Sequence, residues 1–275
     1  MFINQPIYDW SAQYWEHVSR NIGLVSFREQ ELIRTSKIAV LGVGGVGGPV
    51  AENLVRVGCQ HLVLADRDVF DATNLNRQLC TLEDIGRYKV EVVAEFLQKI
   101  DPEVQITKYT TITPSNINKV LDGVDVVALT LDGPITSILI ARECRRHRIP
   151  MCETWAVPSL FCWFFTPDSI DYETLYQLNT HHLSNEELEL ERDNLELTTC
   201  KSLFSKIIRL VGVEDKYDKE PGAYQMMMKE QIGIRSFAPI VRLNADFLTI
   251  ELIFAGILAI KPMYLAPEYK EFAYL

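Results

Sequence analysis

No C-x-x-C pair occurs among the six cysteines, at positions 59, 80, 144, 152, 162 and 200, and their spacings form no even framework. That absence argues against a disulfide scaffold. Several of them fall inside apolar runs, where a free thiol packs as a small hydrophobe, so a reduced, cytoplasmic protein is expected. Bases are in deficit as well: 27 Lys and Arg against 37 Asp and Glu leave a formal charge of −10. Such a balance repels nucleic-acid backbone and anionic membrane. Long apolar runs are also missing. The longest uncharged one near the end, 252–260, has nine residues, against about 20 needed to span a bilayer, and reads as a core helix. The first twenty residues carry Asp9, Glu16 and Arg20 among aromatics, without the apolar centre of a signal peptide, so no export is expected. Neither an internal repeat nor a low-complexity tract interrupts the chain.

What is present suits a folded protein: 275 residues, 48% hydrophobic and 23% charged. At roughly 150 residues per domain this allows one or two domains. Residues 37–41 form an apolar, β-branched run that ends in Gly42-Val43-Gly44-Gly45-Val46-Gly47-Gly48 before a helical stretch at 49–57. A second run at 61–66 completes a βαβ unit of about 30 residues. Further strands are expected at 104–109, 124–130 and 150–154, with helices at 89–100 and 135–147. Alternation over 150 residues predicts an α/β, Rossmann-like doubly wound sheet. Its first half is parallel; its second half is mixed or antiparallel, with a helical insertion. The expected division is an N-terminal helical segment (1–36, broken at Gly23), a nucleotide-binding half (37–157) and a second half (158–275) with an acidic helical insertion and a C-terminal core helix at 241–260. All three belong to one continuous domain. The insertion is distinctive in charge, because residues 168–196 hold nine acids and one base, Arg192.

Gly42, Gly44 and Gly47 fit G-x-G-x-x-G between a strand and a helix: a tight turn, a backbone open to phosphate, and close helix packing. The helix N-terminus offers N–H groups to an anion. Asp66, 24 residues past Gly42, stands where a carboxylate accepts from ribose hydroxyls. This fingerprint alone fits NAD and an NAD-dependent oxidoreductase. Arg77 and Lys89 add a planar fork and a compact cation suited to a triphosphate, although either alone serves equally as a solvated charge. Asp132, after an apolar strand and before Gly133-Pro134, is placed either to hold Mg²⁺ or to cap the following helix. The cations Arg142, Arg145, Arg146 and Arg148, with His147, crowd a helix end, which suits the helix dipole. His181-His182 reads as a solvated loop.

Taken in order, the stretches Arg20-Asn21-Ile22, the glycine turn from Lys37 to Gly47, Leu64-Ala65-Asp66, Asn74-Leu75-Asn76-Arg77-Gln78, Gly86-Arg87-Tyr88-Lys89 and Leu131-Asp132-Gly133 resemble the ThiF/MoeB/HesA group. This group comprises the bacterial relatives of ubiquitin-activating enzymes. A weaker echo lies in Ser236-Phe237-Ala238-Pro239-Ile240. The resemblance implies an ATP-dependent adenylyltransferase that activates the C-terminal carboxylate of a small ubiquitin-like or sulfur-carrier protein, or a peptide, and releases pyrophosphate. It implies that Gly42, Gly44, Gly45 and Gly47 cradle ATP and that Asp66 holds the ribose. Arg77 and Lys89 would take the phosphates, Asp132 the Mg²⁺, and Asn74 and Gln78 would donate amide hydrogen bonds nearby. Arg20 matches an arginine finger that reaches the neighbouring subunit's triphosphate, implying a homodimer. Relatives often bind zinc through two C-x-x-C pairs; none exists here, and no zinc site is expected. Nor does residue 225–239 contain the cysteine many relatives use for a thioester or persulfide; Cys200 is the nearest one, and an inert thiol is the simpler reading. The site is expected to be locally cationic, and the acidic stretch a solvated face. Two relations within the same sequence space stay open: a tRNA threonylcarbamoyladenosine dehydratase-like enzyme and a non-catalytic pseudo-enzyme subunit.

Overall fold

The structure, a computed structural model, describes residues 8–210, 212, 215–229, 234–262 and 265–266; within these, the side chains of 196–202, 210 and 215 are outside the description. The elements run α1 (Ala12–Val18), α2 (Phe27–Thr35), β1 (Lys37–Leu41), α3 (Gly47–Arg56), β2 (His61–Ala65), α4 (Lys89–Ile100), β3 (Gln105–Tyr109), α5 (Ile117–Val120) and β4 (Val126–Leu129). There follow α6 (Pro134–His147), β5 (Met151–Glu153), β6 (Trp163–Phe165), α7 (Tyr172–Leu175), α8 (Asn185–Leu190), α9 (Arg192–Leu210), α10 (Ala223–Met228) and α11 (Ala238–Glu251).

One six-stranded sheet has the order β3-β2-β1-β4-β5-β6. Strands β1 to β5 are parallel, and β6 closes the edge antiparallel to β5. This is the doubly wound α/β arrangement, mixed at one end. Both sides of a parallel sheet must be covered, so its strands are apolar on both faces. Ala39, Leu41, Val63, Val127 and Leu129 face a layer that includes residues of α5, α6 and α9. Their alternates Ile38, Val40, Leu62, Leu64 and Val126 face α3, α4 and α11. Chain order reverses between β1 and β4, so the loops after these two strands diverge and leave a crevice.

Three expected elements gain detail. The N-terminal segment is two helices with the expected interruption at Gly23, which lies at φ +112°, and Ser26 restarts the chain with a reciprocal capping box to Glu29. The C-terminal helix expected over 241–260 runs as α11 to Glu251 and then widens into a π turn at Leu252–Ile257, where Leu258 N–H donates to the Ile253 carbonyl. A Cβ on Gly256 would stand 2.7 Å from Val126 Cγ2, so the wider turn brings a glycine flush against β4. The acidic stretch is three helices, and the last of them, α9, packs along α6. Its start is clamped: Arg142 on α6 makes two 2.7 Å bonds to the buried Glu173 carboxylate and donates to the Thr180 and Leu183 carbonyls. The stretch is therefore partly core, because Leu188 and Glu173 are buried.

Candidate active site

The glycine turn leaves β1 into the crevice. Gly42 adopts φ +99°, and a Cβ there would press to 2.5 Å from the Thr130 carbonyl. Thr130 Oγ1 donates to the Gly42 carbonyl at 2.6 Å, tying the ends of β1 and β4 together. At Gly47 a Cβ would lie 1.7 Å from the Gly42 carbonyl oxygen, so α3 reaches the sheet only because that residue has no side chain. Gly44 and Gly45 differ: the nearest atoms to a Cβ are Gln78 at 3.8 Å and Val241 at 3.3 Å. The first turn of α3 has no side-chain cap; there Gly48 N–H donates to the Gly44 carbonyl and Val50 N–H to the Val46 carbonyl, and Pro49 has no N–H to give.

A cavity of about 430 Å³ occupies the crevice and is lined by Gly42, Gly44, Gly45, Asp66, Arg77, Gln78, Lys89 and Asp132 among others. Its size falls within the roughly 300–1,000 Å³ of small-molecule sites. Asp66 is almost fully buried, with its carboxylate accepting from Val43 N–H and Asp68 N–H at 2.9 Å. Burial pushes its pKa above the ordinary value, opposed by the charge of Lys89 and by those two backbone donors. Lys89 opens α4, is buried, and pairs with Asp68 at 2.8 Å. Arg77 lays its stem beside Gly45 and donates to the Thr73 carbonyl and to Asn76. Gln78 Oε1 is buried and has no hydrogen-bond partner. An orphaned acceptor of this kind costs about 1–3 kcal/mol unless a donor arrives, and it suits a ligand carrying N–H or O–H groups. Asp132 is exposed on the cavity wall; Gly133 takes the cap position of α6 and Pro134 its first turn.

Three expected site residues lie elsewhere. Gly47 serves helix packing and does not line the cavity. Asn74 is buried, accepts from Asp71 N–H and closes a short 3-10 turn, so it shapes the loop that carries Arg77. Arg20 follows α1; His17 and Tyr14 of α1 and Asn21 just beyond it hydrogen-bond to the carbonyls of Arg56, Gly58 and Val57. That is the carboxyl end of α3, about 15 Å of helix from the glycine turn, so Arg20 does not reach the cavity of its own chain.

The lining also contains residues that the motifs did not disclose: Arg67, Asp68, Thr136, Trp155, Glu189 and Arg192. With them the wall holds four bases (Arg67, Arg77, Lys89, Arg192) and four acids (Asp66, Asp68, Asp132, Glu189). Among the described residues the lining of one chain is thus charge-balanced rather than cationic, and two of its acids pair with its bases, Asp68 with Lys89 and Glu189 with Arg192. Glu189 and Arg192 come from the acidic stretch, which is therefore more than a solvated face. Its lone base was the visible signal. Of the arginines at the end of α6, Arg142 binds Glu173, Arg145 donates to the Ser169 carbonyl and Arg146 binds Glu143, while Arg146 and Arg148 remain exposed. Among the described residues one group of metal-type ligands occurs, Asp171, Glu173 and His181. Both oxygens of Glu173 already bind Arg142, and His182 is not part of the group. Among the described cysteines, Cys59, Cys144, Cys152 and Cys162 are buried and Cys59 is pushed up to about 12 by burial; none lines the cavity. Cys200 lies on α9 with its side chain outside the described residues.

A doubly wound sheet with a glycine turn, a buried acid and two cations at its switch point defines a Rossmann-like α/β protein. Residues 18–202 match the ThiF family, more than half of the chain, and the protein belongs to that family. It is 35% identical over 127 residues to the tRNA threonylcarbamoyladenosine dehydratase of Escherichia coli, an alignment covering 45% of this chain and 47% of that protein. It is 34% identical over 124 residues to the SAMP-activating enzyme E1 of Haloferax volcanii, covering 44% and 46%. The matched part thus spans about half the length of these relatives. Among solved structures, PaaA superimposes with a TM-score of 0.67 at 16% identity, covering 100% of this chain and 86% of the other. The Escherichia coli MccB structure with ATP gives 0.61 at 18% identity, covering 89% and 65%. At these identities the likeness is one of fold.

Proposed function

We propose that the protein is an ATP-dependent adenylyltransferase that activates the C-terminal carboxylate of a small ubiquitin-like or sulfur-carrier protein or of a peptide. The observation that carries this reading is the single cavity that gathers Gly44, Gly45, Asp66, Arg77, Lys89 and Asp132 around the unpartnered Gln78 Oε1. Family membership and the relative named as SAMP-activating enzyme support it. In the reaction a carboxylate oxygen attacks the α-phosphorus of ATP and the bond to the bridging oxygen breaks. The electron pair leaves with pyrophosphate, and an acyl adenylate remains. Asp66 binds the ribose hydroxyls, which suits a buried acceptor already fixed by two backbone donors. The α3 N-terminus, Arg77 and Lys89 stabilise charge that grows on the leaving group. Lys89 would exchange its Asp68 partner for a phosphate oxygen. Mg²⁺, which neutralises phosphate oxygens, would be held by Asp132, whose exposed carboxylate faces the cavity.

Arg20 is proposed to act across a homodimer, since its place at the far end of α3 separates it from its own cavity. The same reading makes the protein cytoplasmic. ATP–pyrophosphate exchange in the presence of a candidate carrier or peptide tests the proposal. Exchange that needs the carboxylate and disappears in Asp132→Ala is the expected result; exchange that survives Asp132→Ala would overturn the assignment.

A second reading, action on tRNA, draws on relatives named tRNA threonylcarbamoyladenosine dehydratase. The engagement of Arg142 and Arg145 within the fold weighs against it. A gel shift with tRNA at physiological salt separates the two.

A further inference from the structure

We infer that Arg192 is an anion-recognition residue of the candidate site, and that Glu189 occupies its guanidinium until an anionic ligand arrives. This inference rests on the adenylation reading and adds a residue to it. Arg192 is the only base among nine acids in the stretch 168–196, and its side chain is turned inward, 16% exposed, onto the wall of the cavity. Two features hold it there. Buried Leu188 fixes how α8 sits on the core, and the three-residue spacing then places Glu189 and Arg192 on neighbouring positions of a helical surface. Asn185, at the start of α8, is gripped from both sides by Arg142 and Glu143 of α6. Arg192 opens α9 two residues past the end of this anchored helix.

Its contacts suit exchange. Arg192 Nε and one terminal nitrogen bind the Glu189 carboxylate at 3.1 and 2.6 Å, and the other terminal nitrogen donates to Thr136 Oγ1 at 3.0 Å. The fork is therefore already set in the geometry that grips two oxygens of a carboxylate or a phosphate. Thr136 lies in the first turn of α6, directly after Asp132 and Gly133, so the guanidinium stands beside the loop that carries the candidate metal-binding acid. Glu189 also lines the cavity and is 35% exposed at its side chain, which leaves it free to turn outward. Without Arg192 that carboxylate would repel any anion entering the site. With it, the pair is neutral when empty and supplies a positive fork when an anion displaces the carboxylate. The ligand chemistry is a pair of anionic oxygens, from either the β- and γ-phosphates of ATP or the substrate carboxylate that becomes the acyl group on the α-phosphate.

Calorimetric titration of three probes separates these sources: AMP, a non-hydrolysable Mg-ATP analogue, and glycyl-sulfamoyl adenosine as a stable mimic of an acyl adenylate. Wild type binding none of the three would contradict the adenylation reading itself. Given wild-type binding, Arg192→Ala is expected to weaken one of the two larger probes by roughly tenfold to a hundredfold, the loss of a charge-assisted bond, with AMP held within twofold. Loss confined to the ATP analogue assigns the phosphates, and loss confined to the sulfamoyl compound assigns the acyl side. Arg192→Lys, which keeps the charge without the fork, should fall between. Glu189→Gln should bind the same probe several-fold more tightly than wild type. Equal effects on all three probes, or no effect on any, would overturn the inference, as would a Glu189→Gln protein weakened like Arg192→Ala.

Discussion

Two glycines in the same turn should fail in opposite ways when each is replaced by alanine. At Gly47 the added methyl would stand 1.7 Å from the Gly42 carbonyl oxygen and 2.5 Å from Thr130 Oγ1. Those two atoms are bonded to each other at 2.6 Å, so neither can retreat without breaking the tie between β1 and β4. The start of α3 must move instead, against a core that includes Val50, Ala51 and Leu54. Overpacking of this sort costs about 1–3 kcal/mol and sometimes more, and backbone on one side puts Gly47→Ala at about 3 kcal/mol. For a chain of this size that is a fall in Tm of roughly 6–12 °C. At Gly44 the nearest atoms lie 3.8 Å away, on the Gln78 side chain, and φ is not in the left-handed region. Gly44→Ala should leave stability unchanged or raise it by about 0.4–1 kcal/mol. Its methyl, however, fills the space through which phosphate approaches the backbone, so Mg-ATP affinity should fall about tenfold or more. Thermal unfolding and calorimetry on both variants give the comparison. Gly44→Ala that binds Mg-ATP within twofold of wild type, or Gly47→Ala as stable as wild type, would refute the reasoning.

Arg142→Ala removes the guanidinium from a buried carboxylate and should cost about 3–5 kcal/mol in chemical denaturation, because Glu173 is left uncompensated beneath the insertion. Glu153 is buried on β5, accepts from Tyr172 and Tyr176, and has its pKa raised by burial from 4.5 to about 7. The folded state therefore binds the proton more tightly than the unfolded one. The neutral form costs nothing below pH 4.5, and a penalty builds as pH rises towards 7, reaching about 3 kcal/mol at 1.36 kcal/mol per pH unit. Unfolding titrations of wild type and Glu153→Gln should differ by a slope confined to that window; parallel profiles would contradict the burial argument. Mixing Arg20→Ala with Asp132→Ala protein tests action across a dimer: about a quarter of the sites in a random mixture are intact, so exchange activity should return to that level.

The sheet was legible because parallel strands buried on both faces read as apolar runs. β1 was placed at its residues, and β2 to β5 were placed within a few. The glycine turn and the loop carrying Arg77 and Lys89 were legible because phosphate chemistry constrains residue type and spacing locally. Helix junctions were less so. The break between α1 and α2 was readable at Gly23, whereas the π turn depends on Gly256 meeting Val126, and contact with a distant strand leaves no local pattern. The role of residues 168–196 was obscured for a related reason: composition records that the stretch is acidic, not that Glu173 is neutralised by Arg142 or that Glu189 and Arg192 face inward. Charge balance in the cavity was missed for the same cause, since Asp68 and Glu189 belong to no motif. Asn74 carries a motif position but spends its side chain on the turn that aims Arg77.

The proposed occupant of this cavity is Mg-ATP rather than a dinucleotide. Calorimetric titration of one protein sample with Mg-ATP and, separately, with NAD⁺ tests it most directly. Saturable Mg-ATP binding that weakens in Asp132→Ala and Lys89→Ala, with NAD⁺ weak or silent, is expected. Tight NAD⁺ binding with no Mg-ATP binding would contradict it.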